Sequence, residues 1–153
     1  MGRVIGSYEV SLDGHRLQVV PLNLACCGVE LAAGMQALAA AVDPVAVDPA
    51  AAAESMAGIA ADTEIDLHVL VVAGTVTPAF TPRIEAAWAA LPDPKVAIGF
   101  GVCTLSGGPY WDSYAVLPGV PPQLTPMVRV PGCPPRPEAL REALRVALVG
   151  VPA

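Results

Sequence analysis

Apolar residues gather in blocks along this chain, and most blocks end on a glycine, proline or cysteine. Residues 67–73, Leu-His-Val-Leu-Val-Val-Ala, are almost uninterruptedly apolar. Such a run predicts a strand buried on both faces of a parallel sheet. Residues 95–101, Lys-Val-Ala-Ile-Gly-Phe-Gly, predict a second buried strand, and residues 127–130, Met-Val-Arg-Val, a last short one. Residues 4–20 read as two short strands about the turn signal Asp13-Gly14. The better of these continues through residues 16–22, Arg-Leu-Gln-Val-Val-Pro-Leu, straight into a cysteine pair.

Between the strands the period changes to that of a helix. Leu31, Met35, Leu38 and Val42 recur every three to four residues and predict a helix over residues 30–42. Asp43-Pro44 and Asp48-Pro49 interrupt it, and residues 50–61 read as a second, alanine-rich helix. Residues 74–78 form the loop after the 67–73 strand. Thr81 is placed to cap a helix with Pro82 in its first turn; Ile84, Ala87, Trp88 and Leu91 line one face, and Pro92-Asp93-Pro94 stops it. Residues 101–112 read as a glycine-rich loop holding Cys103, residues 116–125 as a proline-rich connection, and residues 131–137 as a loop holding Cys133. Pro137 opens the last helix, with Leu140, Leu144 and Leu148 inward and Glu138, Arg141, Glu142 and Arg145 outward.

Strands alternating with helices predict a three-layer α/β domain with a central parallel sheet. In such sheets ligands sit at the carboxyl edge of the strands. Each cysteine element follows a strand on that edge: Cys26-Cys27 after residues 16–22, Cys103 after residues 95–101, Cys133 after residues 127–130. Residues remote in sequence therefore converge on one rim. The length of 153 residues suits one domain over residues 1–153, with a core of about 16–149.

Composition narrows the class. The chain is 54% hydrophobic and only 14% charged, so part of its surface is expected to lie against partner subunits. A net charge of −6 argues against nucleic acid and against electrostatic attachment to anionic lipid. The longest apolar runs, residues 67–76 and 29–42, are broken by polar residues and glycines, so no transmembrane segment is expected. Met1-Gly2-Arg3-Val4 lacks the apolar core of a signal peptide, which predicts a reducing cytoplasm where thiols favour metal over disulfides.

Adjacent cysteines rarely bond to each other, because their Cα atoms are too close for relaxed disulfide geometry. They can reach two corners of one metal cluster where the backbone turns, and Gly28 allows that turn. Cys26, Cys27, Cys103 and Cys133 are the chain's four cysteines, the number a cubane cluster needs. Buried free thiols and a zinc site are the alternatives, zinc being weakened by the lack of any C-x-x-C pair. Gly99-Phe100-Gly101 opens like a dinucleotide fingerprint but has Cys103 instead of open backbone and lacks the third glycine. His68, inside a strand run, reads as a core histidine, and His15 as a solvated one. Glu30 stands three residues after the pair, where a carboxylate suits a helix dipole and could also handle protons. Tyr110, Trp111 and Tyr114 read as packing or interface aromatics.

Four stretches carry a resemblance: Ala25-Cys26-Cys27-Gly28-Val29-Glu30; Val72-Ala73-Gly74-Thr75-Val76-Thr77; Gly101-Val102-Cys103-Thr104-Leu105-Ser106-Gly107-Gly108; and Val130-Pro131-Gly132-Cys133-Pro134-Pro135-Arg136-Pro137-Glu138-Ala139-Leu140. Together, over residues 16–148, they resemble the B (20 kDa) subunit family of NADH-quinone oxidoreductase, respiratory complex I. Its relatives are the small subunits of membrane-bound energy-converting [NiFe] hydrogenases. The resemblance implies a flavodoxin-like domain whose Cys26, Cys27, Cys103 and Cys133 ligate one [4Fe–4S] cluster. That cluster would pass electrons to quinone at an interface shared with a large, 49 kDa-like subunit. A ferredoxin-like iron–sulfur subunit would be the other partner, in a complex peripheral to the inner face of the cell membrane.

The alternatives are a hydrogenase-type small subunit, partnered by a hydrogenase large subunit, and a cluster-free structural paralogue. The adjacent pair is the complex I form, whereas hydrogenase relatives usually space it as C-x-x-C; the short lead-in strand resembles the hydrogenase side. The chain reads as a divergent member. Residues 43–53 and 62–66 are acidic and alanine-rich where the family usually has basic residues, which predicts a lower cluster potential.

Overall fold

The apolar blocks become strands, and the rim predicted for the cysteines follows from how those strands line up. The computed structural model describes residues 7–38 and 64–150. Tyr8–Leu12 is β1, His15–Asn23 β2, Leu67–Ala73 β3, Lys95–Phe100 β4 and Met127–Val130 β5. Cys27–Leu38 is helix α1, Thr81–Ala90 α2, Val102–Ser106 α3 and Ala139–Gly150 α4, with a 3-10 turn at Gly108–Tyr110. The sheet order is β1-β2-β3-β4-β5, with β2 to β5 parallel and β1 antiparallel at one edge.

The β1–β2 connection is the predicted two-residue turn. Asp13 (φ 50°) and Gly14 (φ 86°) both take the left-handed backbone that matches the twist of a hairpin. Pairing with β1 reaches Val19 of β2, while β3 pairs on to Asn23. Pro21 therefore lies where β2 has a strand on one side only among the described residues, a place that tolerates its missing N–H.

All seven residues of β3 are buried, and the two-residue strand period explains how. On one face Val69, Val71 and Ala73 pack with Leu31 and Met35 of α1 and Leu140, Ala143 and Leu144 of α4. On the other, Leu70 and Val72 pack with Ile84, Ala87 and Trp88 of α2. The result is the expected three-layer α/β fold of flavodoxin-like kind. Each such fully buried aliphatic side chain contributes about 1.5–3 kcal/mol of transfer free energy, so the centre of the sheet dominates stability. His68 is 2% exposed in β3, its backbone N–H donating to Pro94 O at 3.0 Å and its ring Nδ1 3.4 Å from the same oxygen, as befits a core histidine. His15 is exposed, with Nδ1 3.6 Å from Asp66 Oδ2.

Three local expectations need correction. Helix α1 starts at Cys27 rather than at residue 30. Gly28 N–H donates to Ala25 O and Val29 N–H to Cys26 O, so the chain begins to coil at the cysteine pair itself. Thr81 does not cap α2: Phe80 takes that place without a side-chain cap, and the Thr81 hydroxyl donates to Thr77 O at 3.0 Å. Cys103 is not in a loop but in α3, a short helix entered at Gly101 and closed at the left-handed Gly107, whose N–H donates to Cys103 O. The last helix is entered through i→i+3 turns from Arg136, Pro137 and Glu138, with Leu140 and Leu144 fully buried as expected. The expected helix over residues 50–61 and the end of the 30–42 helix lie outside the described residues.

Candidate metal centre

Parallel strands deliver their carboxyl ends to one edge, and backbone hydrogen bonds bind the connections there into one rim. Leu24 N–H donates to Ala73 O at 2.8 Å, fastening the approach to Cys26 onto the end of β3. Gly101 N–H donates to Val130 O at 2.8 Å and Val102 N–H to Gly132 O at 3.0 Å. These two bonds tie the start of the Cys103 helix to the segment that carries Cys133. The buried Thr104 hydroxyl donates to Gly101 O at 2.7 Å and braces the same corner.

Two glycines let these segments touch. Gly74 has φ 114°, and a Cβ there would stand 2.5 Å from Ala25 N, so the loop after β3 lies flush under the Cys26 approach. Gly101 has φ 104°, and a Cβ there would stand 2.5 Å from Cys27 Sγ and 3.6 Å from Gly132 O. The Cys27 sulfur thus rests on bare backbone, between the Cys103 helix and the Cys133 segment. Sequence reading missed this role for Gly101; the signal was a glycine directly after a buried strand.

The four thiols divide into two buried and two exposed. Cys27 and Cys103 are buried, whereas Cys26 and Cys133 are exposed, and all four are free thiols. Burial, above all, pushes the Cys27 thiol up to about 12; Cys26, by its charge and by a hydrogen bond, and then the charges of Cys103 and Cys133 push the same way. Among the described residues, no three His, Cys, Asp or Glu side chains gather around a single point closely enough to hold one metal ion. Glu30 stands in the first turn of α1, half-buried, one turn beyond Cys26.

Large apolar side chains near the cysteines in the chain are exposed. Val29 is 71% exposed, Tyr110 55%, Trp111 73% and Tyr114 101%. Val29 follows the cysteine pair on α1, and the aromatics follow the Cys103 helix in the chain. No helix among the described residues is long and apolar enough to cross a membrane.

Comparison with known proteins places this geometry in a family. Residues 25–147 match the family model for the 20 kDa subunit of NADH ubiquinone oxidoreductase. The B 2 subunit of NADH-quinone oxidoreductase from Streptomyces griseus is 37% identical over 85% of this chain and 51% of its own length. The B 1 subunit of the same enzyme from Salinispora tropica is 41% identical over 82% of this chain and 61% of its length. A chain of the membrane-bound sulfane sulfur reductase, an archaeal respiratory membrane complex, superposes on 53% of this chain and 46% of its own at 34% identity, with a TM-score of 0.46. The chain spans about half the length of the first of these relatives and about three-fifths of the second. The matched region begins at residue 25 and runs past Cys27, Cys103 and Cys133 into the last helix, and on that ground the chain belongs to the family of the 20 kDa (B) subunit of NADH-quinone oxidoreductase.

Proposed function

We propose that this chain is an iron–sulfur electron-transfer subunit of a complex I-like NADH-quinone oxidoreductase, with one [4Fe–4S] cluster held by Cys26, Cys27, Cys103 and Cys133. The observation that carries the reading is the meeting of three separate cysteine segments at Gly101, where Cys27 Sγ lies against bare backbone and the Cys133 segment is hydrogen-bonded to the start of the Cys103 helix. The residues fit the group. Four soft thiol ligands come from one rim, and the bare backbone of Gly101 leaves the space that a Cβ would fill. Zinc at one centre would need its sulfurs at about 2.3 Å from a shared point.

Bound there, the cluster supplies one-electron transfer between an upstream iron–sulfur donor and quinone. The chain's own residues set the conditions for this. Cys27 and Cys103, both buried, would hold the cluster from the interior, and Cys26 and Cys133, both exposed, from the solvent side. The buried Cys27 thiol resists ionisation without a compensating charge, so loading would release its proton and stabilise the fold together. Glu30, at the positive end of α1, holds a carboxylate beside the site and is the residue for proton handling. The exposed Val29, Tyr110, Trp111 and Tyr114 form the face for a large, 49 kDa-like subunit, with quinone at that shared boundary. A ferredoxin-like subunit is the electron donor, and the complex sits on the inner face of the membrane. The adjacency of Cys26 and Cys27 favours this quinone-reducing assembly over a hydrogenase-type one.

Anaerobic reconstitution with iron and sulfide tests the reading. The expected result is about four irons and four sulfides per chain and a reduced-state EPR signal that Cys133→Ser abolishes. A colourless protein, equally stable with and without iron, would make the domain a cluster-free paralogue.

A further inference from the structure

Both buried thiols lie at the short helix α3, and each touches a glycine at one of its ends. Gly101, at the entrance, carries Cys27 Sγ. Gly108 stands just past the exit, with φ 56°. A Cβ on Gly108 would stand 2.9 Å from Cys103 Sγ, and 3.1 Å from Cys103 N and from Val102 Cγ2. The sulfur of Cys103, a residue only 2% exposed, thus lies against the bare backbone of Gly108.

That backbone is held from two sides. Gly107 N–H donates to Cys103 O at 3.2 Å, and Trp111 N–H donates to Gly108 O at 3.3 Å. Gly108 has little freedom to retreat, so a side chain there is relieved by moving the sulfur. Rotation about one bond, χ1, carries Sγ away to another rotamer. A free thiol can make that move. A sulfur bound to a cluster cannot make it and keep its bond, because the other ligands fix where it must stand. The tight approaches to Cys103 N and Val102 Cγ2 are the same with or without iron.

A left-handed φ is by itself a reason for glycine. Gly14 separates the two reasons. It is also left-handed, with φ 86°, but a Cβ there meets nothing within 4 Å. Strain of the backbone is common to both positions, and contact with a sulfur belongs to Gly108.

We propose that Gly108 is a positioning residue for the metal centre: its missing Cβ leaves Cys103 Sγ the place it takes as a cluster ligand. This rests on the cluster reading above. With Gly101 under Cys27, the two ends of α3 then seat both interior sulfurs.

The full chain is compared with Gly108→Ala, Gly108→Asn and Gly14→Ala, each with and without reconstitution by iron and sulfide. Asparagine tolerates the left-handed backbone and still carries a Cβ, so Gly108→Asn keeps the contact while relieving the strain. Without iron, both Gly108 variants are expected to fold, with Gly108→Ala close to Gly14→Ala in stability. With iron, both Gly108 variants should show a shifted reduced-state EPR signal. They should also lose the cluster to an iron chelator about tenfold faster than the parent, the size usual for a change just outside the ligands. Gly14→Ala should match the parent in both. Parent-like signal and lifetime in Gly108→Asn overturn the proposal. A Gly108→Asn chain that is unfolded without iron overturns it too, because the glycine then serves the fold and not the sulfur. A parent chain that takes up no iron overturns the cluster reading itself, and this proposal with it.

Discussion

At single positions, this protein is most sensitive where backbone and sulfur touch. Gly101 combines a φ of 104° with a Cβ position only 2.5 Å from Cys27 Sγ. Gly101→Ala must both strain the backbone and displace that sulfur. The expected cost is about 1–3 kcal/mol in chemical denaturation, together with a marked loss of iron after reconstitution. Parent-like iron content in a folded Gly101→Ala chain would show that Cys27 does not need this surface. Gly101 and Cys27 lie far apart in sequence, so no reading of either neighbourhood alone reveals the contact. The sequence placed the cysteine segments after strands, and the structure puts the Cys27, Cys103 and Cys133 segments at the carboxyl edge of the sheet. Glu30 was legible only as a carboxylate near a helix start; the start itself is three residues earlier, which places it one turn further from the end than expected.

Between elements, the hairpin and the last helix are joined by charge. Arg145 of α4 donates to Asp13 Oδ2 at 2.8 Å and to Glu142 Oε1 at 2.8 Å. The hydrogen bond from Arg145 holds the Asp13 carboxyl below its usual range. A carboxylate whose pKa is depressed by folding contributes stability above its unfolded pKa, and loses it as pH falls through the folded one. Asp13→Asn keeps a residue that tolerates the turn backbone but removes the charge. It should lower the melting temperature slightly at neutral pH, and the gap from the parent should close in acid, below the unfolded value of 3.8. A gap that stays constant from neutral pH into strong acid would remove the ion pair from the account. At the other corner of the hairpin Arg16 pairs with Glu9 and Glu64, and its backbone N–H donates to Asp66 Oδ2 at 2.7 Å. These exposed pairs fix register more than they stabilise, since surface pairs contribute little. The element pattern was readable for β3 and β4, whose burial on both faces leaves an almost unbroken apolar run. It failed for α3, a helix of five residues. A helix that short has no period to read, and glycines on both sides disguise it as a loop.

For the molecule as a whole, the exposed aromatic side chains bear on the partner subunit proposed above. Trp111 is 73% exposed and Tyr114 fully so, beside the segment that carries Cys103. Trp111→Ala should leave the chain's own stability within about 0.5 kcal/mol of the parent. It should weaken association with the large subunit proposed as partner by about 2 kcal/mol or more, as buried aromatic anchors do. Calorimetric titration of the two purified subunits measures this; unchanged affinity would move the partner face elsewhere.

The chain's own order of residues was enough to fix the class of fold and the positions of the strands. Those properties depend on local hydrophobic period and on residue type, both of which are written along the backbone. Which backbone the Cys27 sulfur rests on, and where Cys103 acquires its helix, depended on the folded chain. They arise from contacts between residues far apart in sequence, and such contacts exist only once the parallel strands have brought their carboxyl ends to one edge.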